Sequence, residues 1–186
     1  MLIYIHGFAS SSNSKKCQEL KAFYDDEIIS MDLSCEPLKA IKELKVLIKK
    51  YENEDLILLG SSLGGYYALH LLQTFDLPVV LVNPSMQPFQ TLARFANKDV
   101  ANYSKDQSCF FKAEYVEQLK AMDITIKDQS KVLLLLQTGD ENLDYKVALW
   151  MLPEAKSIVQ EGGNHAFEDF KDVFGEIRSF YQSCYG

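Results

Sequence analysis

Short apolar runs alternate with stretches of helical periodicity along the whole chain. Residues 1–5, 27–31, 56–59, 79–82, 132–136 and 157–159 read as short strands. Most are continuously apolar, as parallel strands covered on both faces are. Between them, apolar positions recur every three or four residues. Cys17, Leu20, Phe23 and Tyr24 predict the inward face of a helix capped by Ser12 or Ser14. Pro37 opens a second helix, with Leu38, Ile41, Leu44, Leu47, Ile48 and Tyr51 inward. Leu63, Tyr67, Leu71 and Leu72 mark a third. Further helices are predicted over 145–152 and 167–181, the last burying Phe170, Val173, Phe174, Ile177 and Phe180. Six strands alternating with helices predict an α/β fold: a three-layer α/β/α sandwich around a mostly parallel sheet, as one domain over 1–186.

The segment 87–129 breaks this rhythm. It mixes Phe89, Phe95, Tyr103, Phe110, Phe111 and Tyr115 with polar residues, and a helix over 112–122 is the one element its pattern predicts. It is longer than a typical connection in such a sheet. It follows the strand after the third helix, so it is expected to form a partial cap over the strand ends and to set acyl preference, with Phe110 and Phe111 as test positions. A surface excursion packed by its own aromatics would leave the same pattern.

The strand at 56–59 leads into Gly60-Ser61-Ser62-Leu63-Gly64 and then into a helix. A G-x-S-x-G turn in that setting holds its serine in a strained backbone, hydroxyl outward, and needs small residues two before and two after it. Gly60 and Gly64 therefore select Ser62 over Ser61. Serine needs a base to act as a nucleophile. His165, in the loop Gly162-Gly163-Asn164-His165 after the last strand, can supply one. An acid must orient the imidazole. Asp140 follows the strand at 132–136, with Glu141 and Asp144 close enough to compete. Asp32 also follows a strand but precedes Ser62. The order Ser, Asp, His along the chain is that of the α/β-hydrolases. Backbone N–H groups of Leu63, after the serine, and Phe8, after His6-Gly7, are placed to hold an oxyanion. His6 is read as a residue that pins its own loop, and His70 as a surface or packing residue.

Composition changes this picture little. A net charge of −7 without a basic cluster argues against nucleic acid as a partner. No apolar stretch approaches the roughly 18 residues of a membrane span. The four cysteines, Cys17, Cys35, Cys109 and Cys184, show neither C-x-x-C nor metal spacing. They are expected to be free thiols in a cytoplasmic protein, with no metal or organic cofactor.

The motifs Tyr4-Ile-His-Gly-Phe8, Gly60-Ser-Ser-Leu-Gly-Gly-Tyr-Tyr-Ala68, Val82-Asn-Pro-Ser85, Gln137-Thr-Gly-Asp-Glu-Asn-Leu-Asp-Tyr145 and Glu161-Gly-Gly-Asn-His-Ala-Phe167 together resemble the α/β-hydrolases, and within them the YqiA-like small bacterial esterases. The resemblance spans nearly the full length and is weakest over 87–129. It implies a trimmed hydrolase sheet, Asp140 as the acid, and a small-molecule acyl ester as the substrate. The function expected is a serine carboxylesterase for short acyl chains, working through an acyl-enzyme intermediate. A thioesterase or acyltransferase would use the same residues. A binding protein on an unused hydrolase site is the non-catalytic alternative.

Overall fold

A computed structural model describes residues 1–102, 108–122 and 124–186. Six strands form one sheet: β1 (Leu2–Ile5), β2 (Ile28–Ser30), β3 (Ile57–Ser61), β4 (Val79–Val82), and, beyond the excursion, β7 (Val132–Gln137) and β8 (Lys156–Gln160). Their order is β2-β1-β3-β4-β7-β8, and every pairing is parallel. The inner strands β1, β3, β4 and β7 are almost continuously apolar because both faces are covered, whereas the edge strands β2 and β8 are partly exposed. Ile3 and Ile5 of β1 enter one core, while Leu2 and Tyr4 enter the other. The first core is completed by α2 (Pro37–Lys50), α3 (Leu63–Phe75) and α6 (Tyr145–Met151). The second is completed by α1 (Lys15–Tyr24) and α7 (Phe174–Tyr185). This is the three-layer sandwich that the alternation predicts.

The chain leaves β1 for β2 on one side and returns to β3 on the other. Such a switch point opens a crevice at the carboxyl ends of the two central strands. His6-Gly7 follows β1 there, and Ser62 follows β3.

Several expectations need correction. Segment 87–129 holds more than one helix: a short α4 (Pro88–Thr91), an antiparallel hairpin of β5 (Lys98–Ala101) and β6 (Ser108–Phe111), and α5 (Ala113–Ala121). Four-residue strands carry too little alternation to be read from sequence. Tyr103 lies outside the described residues. Phe110 is half exposed, whereas Phe111 is buried against Phe8 and Tyr115. Leu38 and Phe23, expected inward, are nearly half exposed. Residues 170–173 form a 3₁₀ turn, so the last helix begins at Phe174. Ser14 is the residue that caps α1, its hydroxyl accepting from the Cys17 N–H.

The free-thiol expectation fails for two cysteines. Cys35, between β2 and α2, is disulfide-bonded to Cys109 on β6. The two lie 74 residues apart in the chain, yet the hairpin folds back to bring their Cα atoms within 6.5 Å, inside bridging range. Spacing along the chain carries no trace of that return. Cys17 and Cys184 are free. No helix among the described residues is long and apolar enough to cross a membrane.

Candidate active site

Ser62 sits between β3 and α3 with φ 54° and ψ −119°. A non-glycine residue in that region costs about 1–3 kcal/mol of strain and persists only where its surroundings hold it. Here its N–H donates to the Val82 carbonyl at 3.1 Å, and its carbonyl accepts from the Gly65 and Ser85 N–H groups, each at 3.0 Å. The flanking glycines are sterically required. A Cβ on Gly60 would strike the Gly64 carbonyl, and one on Gly64 would strike the backbone of Ile5. Ser61 ends β3 and is buried. The neighbouring serine therefore cannot substitute for Ser62 at the turn.

His165 reaches Ser62 from the loop after β8. Its Nε2 lies 3.1 Å from Ser62 Oγ. Its Nδ1 lies 2.8 Å from Asp140 Oδ2 and 3.0 Å from Oδ1. A carboxylate accepts and does not donate, so the Nδ1–H points at Asp140 and Nε2 is left to accept the serine proton. Asp140 Oδ1 also accepts from the N–H groups of Asn142 and Leu143, both at 2.9 Å. The carboxyl group is 2% exposed, the imidazole 23%.

The competing acids lie elsewhere. Glu141 accepts the His165 backbone N–H at 2.9 Å, and that bond draws its carboxyl below the usual range. Asp144 caps α6 by accepting from the Lys146 N–H. Asp32 accepts from the Ser12 N–H and hydroxyl. His6 Nε2 accepts the Leu33 N–H at 3.2 Å, and its Nδ1 lies 2.9 Å from the Gly7 carbonyl, so its ring fastens the loop after β1. His70 is half-buried on α3.

A cleft of about 840 Å³ takes in Ser62, His165, Phe8 and Leu63 together. Leu63 opens α3, whose N-terminal end carries the partial positive charge of the helix. Leu92, Arg94 and Phe95 line the same cleft from the excursion, whereas Phe110 and Phe111 do not. Lys16, from the first turn of α1, also lines this cleft and donates to the Ala166 carbonyl. Burial pushes its ammonium pKa down to about 8. Among the described residues no group of three or more His, Cys, Asp or Glu side chains could hold a metal ion.

Two residues that the sequence reading passed over fix the His165 loop. Gln137, at the end of β7, accepts the Asn164 and Glu168 N–H groups at 3.0 and 2.9 Å through Oε1. Its Nε2 donates to the Glu168 carbonyl and to Gln160, both at 2.8 Å. Asn83, at the end of β4, donates to the Asn164 carbonyl at 3.0 Å and accepts the Gln137 N–H at 3.0 Å. Both amides are almost fully buried. The sequence signal was an amide placed directly after a buried apolar strand.

The comparisons with known proteins agree with this architecture. A UPF0227 protein, YcfP, of Salmonella gallinarum is 24% identical over 188 residues, covering 97% of this chain and 98% of the relative. A putative hydrolase from Agrobacterium vitis superposes with a TM-score of 0.74 at 19% identity, covering 97% of this chain and 87% of that one. The mouse alpha/beta hydrolase domain-containing protein 10 superposes with a TM-score of 0.70 at 17% identity, covering 98% and 88%. At such identities the likeness shows the fold, which is that of the α/β-hydrolases, trimmed to six strands. The model of the uncharacterised protein family UPF0227 matches residues 1–182, and the chain belongs to that family.

Proposed function

We propose that the protein is a serine carboxylesterase that cleaves short-chain acyl esters through an acyl-enzyme intermediate. The observation that carries the reading is the unbroken relay from Asp140 through His165 to Ser62, at 2.8 and 3.1 Å, ending on a serine in a strained turn. Ser62 Oγ attacks the ester carbonyl while His165 Nε2 takes its proton. Asp140 holds the imidazole in the productive tautomer and stabilises its charged form. The oxyanion is held by the N–H groups of Phe8 and Leu63. Collapse of the tetrahedral intermediate expels the alcohol, which takes the proton from Nε2. Water, deprotonated by the same nitrogen, then releases the acid and restores Ser62. In this reading residues 87–129 act as a partial cap, supported by the lining positions of Leu92, Arg94 and Phe95.

Labelling with a fluorophosphonate probe tests the reading. The wild-type protein should be labelled on Ser62, and Ser62→Ala should not be labelled at all. Labelling that persists in Ser62→Ala, or none in the wild type, would sink the assignment. Turnover of thioesters in preference to matched esters would keep the nucleophile and change the substrate class.

A further inference from the structure

A smaller pocket, the branch, adjoins the cleft at the loop after β1. The two spaces share Gly7, Phe8, Ser10 and Leu63. The branch encloses about 150 Å³, and no residue of the His165 loop lines it. Its apolar walls are Leu33, Leu63, Tyr67 and Val100, and Cys35 and Cys109 stand beside them.

The proposed reaction assigns a direction to each arm of the substrate. The departing alcohol takes its proton from His165 Nε2, so it lies on the side of the His165 loop, in the large cleft. The carbonyl oxygen faces the Phe8 and Leu63 N–H groups. The acyl chain then points away from His165, along Phe8 and Leu63, toward the branch. We propose that this branch receives the acyl chain, limits it to about six carbons, and has the Cys35–Cys109 disulfide as its outer wall, which reduction opens to longer chains. The proposal rests on Ser62 being the nucleophile.

The size limit follows from volume, since a cavity of about 150 Å³ accommodates a molecule the size of benzene. The wall follows from construction. The β5–β6 hairpin is a separate two-stranded sheet, and such hairpins are marginal by themselves. Phe111 anchors it in the core, and Asn102 Nδ2 donates to the Ser10 carbonyl at 2.8 Å. The disulfide is its one covalent tie to the β2–α2 loop on the far side of the pocket. Both cysteines are partly exposed, so a dithiol can reach them. One thiolate of the dithiol attacks a sulfur of the pair, and the electrons of the broken S–S bond leave on the other sulfur, which takes a proton. The second thiol of the dithiol then displaces the mixed disulfide. It leaves as a cyclic disulfide, having given two electrons to Cys35 and Cys109.

The test uses p-nitrophenyl esters from two to ten carbons, which keep the leaving group constant. The full chain is assayed oxidised, and again after dithiol treatment and removal of the dithiol, with thiols counted in each sample. Oxidised protein should show two thiols and a kcat/KM that falls beyond six carbons. Reduced protein should show four, and its ratio of eight-carbon to four-carbon kcat/KM should rise on the order of tenfold, the effect of about two more buried methylenes. Cys109→Ser should match the reduced profile and ignore the dithiol. Val100→Phe, which fills the branch, should move the optimum to the acetyl ester. An unchanged ratio in protein shown to carry four thiols would overturn the wall. Four thiols under oxidising conditions would do the same, and an unchanged profile in Val100→Phe would overturn the pocket. Failure of oxidised wild type on every ester of the series would instead sink the esterase reading itself.

Discussion

The two halves of the site are built by different means. The Ser62 half is local. Gly60, Gly64 and the start of α3 force the turn within five residues, and the bonds to Val82 and Ser85 only lock it. The His165 half is assembled over distance. Its loop hangs on Asn83, 81 residues from Asn164, and on Gln137, 27 residues away. The first half is fixed by steric exclusion, which tolerates no compromise. The second is fixed by buried amides, whose bonds are strengthened by low local dielectric and are expensive to leave half-made. Damage to the two halves should therefore look different.

The largest effect is expected at the serine. Ser62→Ala should lower ester turnover by about 10⁶-fold with an unchanged fold, read by steady-state kinetics and circular dichroism. Ser62→Gly should lose activity equally but melt at a higher temperature, because glycine adopts the turn without strain. A lower melting temperature for Ser62→Gly would argue that the elbow is not strained.

Next comes the acid. Asp140→Asn should reduce turnover by about 10⁴-fold, since an amide can present its N–H to Nδ1 and favour the wrong tautomer. Glu141→Gln should have a far smaller effect, because it meets the His165 backbone and not the ring. The reverse ranking in matched assays would reassign the acid.

The amide network should give a smaller kinetic loss but a real loss of stability. Gln137→Leu strips partners from the Asn164 and Glu168 N–H groups and the Glu168 carbonyl, at about 1–3 kcal/mol for each group left unmade in a buried site. Turnover should fall by about 10- to 100-fold, and hydrogen exchange should show the 164–168 amides opening while the start of α3 keeps its protection. Equal loss of protection in both places would dissolve the distinction between the halves.

The smallest expected effect concerns Lys16. Burial lowers its pKa from the ordinary 10.5 to about 8. Between those values the unfolded chain binds more protons than the folded one, so stability rises with pH there. Below pH 8 the buried charge is a full penalty. In Lys16→Met, denaturation curves at pH 7 and pH 10 should lack the gain that wild type shows over that interval. An identical pH dependence in both proteins would show that Lys16 stays solvated.

The sequence by itself determined the alternation of strands and helices, the two-sided burial of the sheet, the register that singles out Ser62, and the order in which Ser62, Asp140 and His165 arrive at strand ends. These follow from local rules: a side-chain period of two or 3.6, and the absence of room for a Cβ at Gly60 and Gly64. The sequence favoured Asp140 among the neighbouring carboxyls, and the tertiary structure set their directions: Asp140 against the imidazole, Glu141 against the His165 backbone and Asp144 against the start of α6. Only the tertiary structure decided the Asn83–Gln137 clamp, the exposure of Leu38 and Phe23, and the return of the β5–β6 hairpin that joins Cys35 to Cys109. Each of these depends on contacts between segments far apart in the chain, and no local period or propensity records which distant surface a residue will meet.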